Sequence, residues 1–230
     1  MEAGLFALFA GVAIAIAVGS FVLKQRRRDD LKAFAQRLGL SYSQDDPYDL
    51  TSYPFLLLTK GDGRGCENVV SGSFQGVMVK QADYWYFDRS TDSEGHTTKT
   101  YHRYSIVVAD IALSTPFVYV SKESLFTMAA DHLGLRDIEF ESEAFNREFN
   151  VKAPDKEFAF KLIDARMEQF ILDTGGSFAF EFLGPSLLVS CHKLSPAELV
   201  PLFGTAKGFI DHIPRLVWNE YGTGQGTAKN

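Results

Sequence analysis

The uncharged stretch Ala3 to Leu23, AGLFALFAGVAIAIAVGSFVL, constrains this chain more than any other feature. It contains no charge, no proline and no amide side chain. As a helix it would be about 30 Å long, the thickness of a bilayer's hydrocarbon core. Lys24, Arg26, Arg27 and Arg28 follow at once. A cleavable signal carries its positive charge before a shorter apolar core. Here Glu2 precedes the run and the cations come after it. The pattern predicts a retained transmembrane helix and basic collar over residues 1–28. By the positive-inside rule the N-terminus lies outside and the remainder is cytoplasmic, on a single-pass protein of the plasma membrane. Ala3, Ala7, Gly11, Ala15 and Gly19 recur every fourth residue, a stripe that allows membrane helices to self-associate.

The net charge of −6 is unevenly spread. Residues 1–28 are basic overall, so everything beyond them holds a larger acidic excess. An acidic body argues against nucleic acid as a partner, because that binding runs on phosphate neutralisation. The collar is suited to the headgroups of a lipid bilayer. With only two cysteines, Cys66 and Cys191, a disulfide scaffold is excluded and two free thiols are expected.

Beyond the collar the pattern is α+β. Asp29 to Leu40 reads as a short amphipathic helix with Leu31, Phe34, Ala35 and Leu38 on one face and Gly39 as its stop. Together with the polar, turn-rich segment to Tyr53 it forms a juxtamembrane helix and linker, 29–53. The folded domain is placed at 54–220 and a flexible tail at 221–230. Gly61-Asp-Gly-Arg-Gly65 is glycine-rich, but strand-like residues follow it and no Lys-Ser/Thr pair completes a nucleotide loop, so it is a turn. Val77 to Phe87, Tyr101 to Leu113 and Phe117 to Val120 predict an antiparallel meander, with Thr115-Pro116 as a break. Glu123 to Leu133 predicts a weak helix. Two amphipathic helices are predicted at about 154–173 and 196–213, the second opened by the capping box Ser195-Pro-Ala-Glu198. Between them Phe178, Phe180 and Phe182 alternate, and Gly184-Pro185-Ser186 predicts the turn of a hairpin that returns over Leu187 to Cys191.

Residues 140–167, FESEAFNREFNVKAPDKEFAFKLIDARM, resemble a bacterial domain family of unknown function. Its members pair an N-terminal membrane segment with a motif E-x-x-F-x-x-x-F-x-V, an Asp, a helix and a β-hairpin. The matching residues are Glu141 or Glu143, Phe145, Phe149, Val151, Asp155, Ala159 and Met167. The resemblance implies a membrane-anchored body and brings no activity or ligand. Many members carry more than one span, where this chain has one.

No catalytic signature emerges, and no cofactor or metal is expected. Asp137, Glu139, Glu141 and Glu143 alternate along a strand and read as a solvated face. His96, His102, His132, His192 and His212 show no metal-ligand spacing. The aromatic run Asp83-Tyr-Trp-Tyr-Phe87 is better explained by sheet packing than by ligand stacking. The function expected is a non-catalytic, membrane-tethered interaction or scaffold module with protein partners. The alternatives are a small-molecule or lipid-headgroup domain in which the collar joins the site, or an enzyme built on the acidic face or on Asp83 with His102.

Overall fold

The computed structural model describes residues 2–122 and 135–223, without the side chains of residues 2–10 and 13. The helix expected at 123–133 and the tail beyond 223 lie outside the described residues.

A long helix, α1 (Glu2–Arg37), leads into an antiparallel sheet of β1 (Ser41–Asp45), β2 (Gly63–Phe74), β3 (Val77–Thr91), β4 (Thr97–Ser121), β5 (Arg136–Ile138), β6 (Asn150–Ala153) and β7 (Ala179–His192). The order is β1-β2-β3-β4-β6-β5, with β7 also pairing β4. The helices are α2 (Glu143–Glu148), α3 (Lys156–Leu162), α4 (Ala165–Asp173), α5 (Leu199–His212) and α6 (Arg215–Tyr221).

The expected transmembrane helix is corrected. No helix among the described residues is long and apolar enough to cross a membrane. Along α1, Val12, Ile14, Ile16, Val18, Phe21, Val22 and Leu23 are all exposed. The same helix then continues unbroken through the collar, and Leu31, Phe34 and Ala35 enter the main core. Its apolar half and its docked half are therefore one rod, with no break at Lys24. In the small-residue stripe, a side chain at Gly11 or Gly19 would meet nothing within 4 Å. Ala3 and Ala7 lie outside the described side chains.

The sheet has a different cover on each face. On one, Val70, Val79, Val107 and Val189 share a core with α1, α3, α4, α5 and α6 through Phe34, Phe158, Met167, Phe203, Phe209 and Val217. Each such side chain contributes roughly 1.5–3 kcal/mol by leaving water. On the other, Ala82, Tyr84, Ile106, Val108 and Leu188 are covered by Leu50, Phe55, Leu57 and Leu58 from the β1–β2 connection.

Three further expectations are corrected. Thr115-Pro116 does not end a strand: β4 runs through it with two register shifts, at Asp110/Thr115 and Thr115/Val118. Gly184-Pro185-Ser186 does not turn a hairpin, because β7 also runs straight on. Thr115 pairs with Gly184, whose φ is +55°, so the two strands bend together. Proline is tolerated where a bulge leaves its missing N–H unneeded. A hairpin requires the two halves to pair with each other, whereas both halves of β7 find their partner in β4. The helix expected over 154–173 is two. Asp164 leaves helical backbone (φ −81°, ψ 175°), and its carboxylate accepts from the Arg166 and Met167 amides to start α4. Asp155 caps α3 the same way through the Phe158 amide. The capping box at Ser195 and Glu198 forms as the spacing requires.

Candidate functional site

The candidate site lies where α1 crosses β2, β3 and β4. Lys24, Arg27 and Arg28 stand three and four residues apart and share one helix face. Arg26 points elsewhere, into a shallow groove with Phe21, Val22 and Asp29. Beneath that face is a cavity of about 520 Å³, lined also by Leu23, Glu67, Asn68, Trp85, Tyr101, Arg103 and Lys193. Three of the four collar cations are thus brought together with two that lie distant in the chain.

The sheet register explains the convergence. Trp85 pairs with Arg103, and Phe87 with Tyr101, so all four side chains project toward α1. Glycine makes room for the rings. A Cβ at Gly63 would lie 2.5 Å from the Phe87 ring, and one at Gly65 would lie 2.9 Å from the Trp85 ring. The glycine-rich segment Gly61 to Gly65 therefore serves as a bed for aromatic side chains, which its composition alone does not reveal. Trp85 and Phe87 stack with centroids 6.3 Å apart, Tyr101 lies 6.0 Å from Trp85, and the Arg103 guanidinium sits 5.3 Å over the Tyr101 ring.

Asp83 lies buried behind the lining and holds three of its residues. Its carboxylate accepts from Arg27 through Nε (2.6 Å) and Nη2 (2.5 Å), and from Asn68 Nδ2 (3.0 Å). Lys193 lies 3.3 Å away. The remaining Arg27 nitrogen, Nη1, donates to the Leu194 carbonyl. Asn68 sits in a bulge of β2 with φ +57°, a conformation asparagine adopts more readily than most residues. The Tyr42 hydroxyl donates to its Oδ1 and so fixes which way the amide faces. Burial, in turn, raises the Tyr42 hydroxyl above its ordinary pKa.

The charge balance follows. Asp83 engages Arg27 and Lys193, and among the described residues no carboxylate pairs with Lys24, Arg28 or Arg103. Glu67 is the other acid at the wall. A cavity with three uncompensated cations and an aromatic side is chemically an anion receptor with a face for a flat or apolar group.

The other sequence candidates do not converge. Asp83 pairs with Ser105 and faces α1, whereas His102 pairs with Tyr86 on the opposite face and lies 3.1 Å from Asp88. Asp137, Glu139 and Glu141 are exposed, and Asp137 meets Lys152. Among the described residues no three His, Cys, Asp or Glu side chains are placed to hold a metal ion. Cys66 and Cys191 are free thiols, and burial raises both. Asn68, Tyr101, Arg103 and Lys193 carry no local signal in the sequence; only strand pairing delivers them to the collar.

No family model and no curated protein matches the chain. Its fold is similar to the crystal structure of the mycobacterial trehalose monomycolate transport factor A, TtfA, with a TM-score of 0.61 and 17% identity. The match covers 82% of this chain and 96% of that one.

Proposed function

We propose that the protein is a non-catalytic binding module whose cavity receives the anionic headgroup of an amphiphile. The observation that carries this reading is the convergence of Lys24, Arg27, Arg28, Arg103 and Lys193, five cations met among the described residues by the two acids Glu67 and Asp83. Leu23 lines the cavity, and the exposed apolar part of α1 from Val12 to Val22 leads away from it, so a ligand with charge at one end and hydrocarbon at the other meets a matching surface at both. The fold is similar to that of a protein named as a trehalose monomycolate transport factor, which supports an amphiphile as the ligand and leaves the charge preference to the cations of the cavity.

Trp85 supplies the assay. With Trp218→Phe in place, Trp85 is the remaining tryptophan and its emission reports on the cavity wall. Short-chain dihexanoyl phosphatidylglycerol, added as a monomer, should shift that emission saturably. Dihexanoyl phosphatidylcholine should not. Arg28→Glu should weaken the anionic lipid at least about tenfold, since a charge-assisted hydrogen bond is worth about 1.5–3 kcal/mol. Equal binding of both lipids, or no effect of charge reversal, would overturn the reading. Saturable binding of inorganic phosphate without the lipid would replace it with that of a soluble-anion site.

A further inference from the structure

The second apolar face of the sheet is covered by the connection between β1 and β2, residues 46–60. This strap has no strand, only two short helical turns, Leu50–Ser52 and Leu57–Thr59. Four side chains hold it down: Leu50, Phe55, Leu57 and Leu58. Tyr84 donates to the Leu57 carbonyl at 2.8 Å, and Lys80 to the Tyr53 hydroxyl at 3.2 Å. Tyr48 and Ser71 on β2 share a hydroxyl hydrogen bond at 2.9 Å, and Arg64 on β2 donates to the Lys60 carbonyl at 3.3 Å. Glu181 on β7 adds a buried tie: its carboxyl accepts from two successive strap amides, Leu56 and Leu57. Glu181 is 1% exposed.

We propose that Glu181 is a proton-linked latch: protonated, it holds the strap 46–60 over the second sheet face, and its ionisation loosens the strap.

The groups facing Glu181 are Lys60 from the strap, Tyr84 from β3 and Tyr119 from β4, its register partner. Both tyrosines are raised by burial and stay neutral. Lys60 and the two amides favour the carboxylate, but burial outweighs them and pushes the Glu181 carboxyl up to about 7. An opened strap returns Glu181 to water, where a glutamate titrates near about 4.3. Between these values the closed form holds a proton that the open form lacks, so closure is favoured below the lower value. It weakens as pH rises through the upper value and is constant above it. Linkage puts the rise in the opening constant at about 30-fold between pH 5.5 and 8.

Amide hydrogen exchange on the full chain, corrected for its intrinsic pH dependence, tests this. Peptides covering 50–60 should gain about 30-fold in opening, while those from α5 should not change in step. Glu181→Gln keeps the shape and an acceptor oxygen but cannot ionise, so its strap exchange should be flat with pH. Lys60→Met removes the favourable cation and should move the wild-type transition to higher pH, a readout independent of whether the first variant folds. A flat wild-type profile, an unchanged pH response in Glu181→Gln, or equal opening of α5 would overturn the latch.

Discussion

Replacing Asp83 with asparagine tests the architecture behind the cavity lining and its electrostatics in one variant. Asp83 is 3% exposed at the side chain and Arg27 16%, so their attraction is little screened. Removing one partner from a buried pair leaves the other charge uncompensated, which costs about 3–5 kcal/mol. Asparagine keeps one oxygen for Asn68 or Arg27, and Arg27 keeps its bond to the Leu194 carbonyl, so the lower end, about 3 kcal/mol, is expected. For a chain of this size that lowers Tm by about 6–12 °C. Urea unfolding followed by tryptophan emission gives the free energy, and calorimetry gives Tm. Two further readouts sharpen the case. Arg27→Met with Asp83→Asn should cost less than the two single changes added, because the orphaned charge is gone. The Asp83→Asn cavity, one negative charge poorer, should also bind dihexanoyl phosphatidylglycerol more tightly while the fold becomes weaker. A loss under about 1 kcal/mol, with strictly additive single changes, would refute the claim that this pair pins α1 to the sheet.

Two glycines offer independent checks. Gly65→Ala sets a methyl 2.9 Å from the Trp85 ring, so it should shift Trp85 emission, weaken lipid binding and destabilise by about 1–3 kcal/mol. Gly184→Ala meets no neighbour within 4 Å but must adopt φ +55°, so urea unfolding should show a loss of about 1 kcal/mol, smaller for Gly184→Asn. In unfolding experiments, wild-type stability should fall between about pH 5 and 7 through Glu181, with that slope reduced in Glu181→Gln.

Much of the local structure is written in short-range chemistry. Ser195 and Glu198 specify a helix start within four residues, Asp155 caps the helix that follows it, and the alternation of Tyr84 and Tyr86 against Trp85 and Phe87 predicts two differently employed faces. Periodicity and capping are nearest-neighbour properties, so a linear chain carries them. The limits of that information show at the same residues that mislead. Gly184-Pro185 and Thr115-Pro116 each have turn chemistry, and each is absorbed into a continuous strand because the other lies across from it. Asp164 looks like one more residue of a long helix until its own carboxylate finds two amides.

The chain alone determined the charged collar Lys24, Arg26, Arg27 and Arg28, the apolar run before it and the acidic body beyond it. Only tertiary structure decided what the collar does. The helical repeat selects Lys24, Arg27 and Arg28 and discards Arg26, while antiparallel register carries Trp85, Tyr101 and Arg103 beneath them. Lys193 and Asp83 then divide the cations into those already engaged and those left for a ligand. The run Ala3 to Leu23 has the composition of a membrane span. The structure instead shows one unbroken helix, not long and apolar enough over its described residues to cross a membrane, whose far end is fastened in the core as Leu31, Phe34 and Ala35 leave water. Composition is additive along a chain, whereas a binding site depends on which distant groups share a volume, and that is settled only when the strands pair.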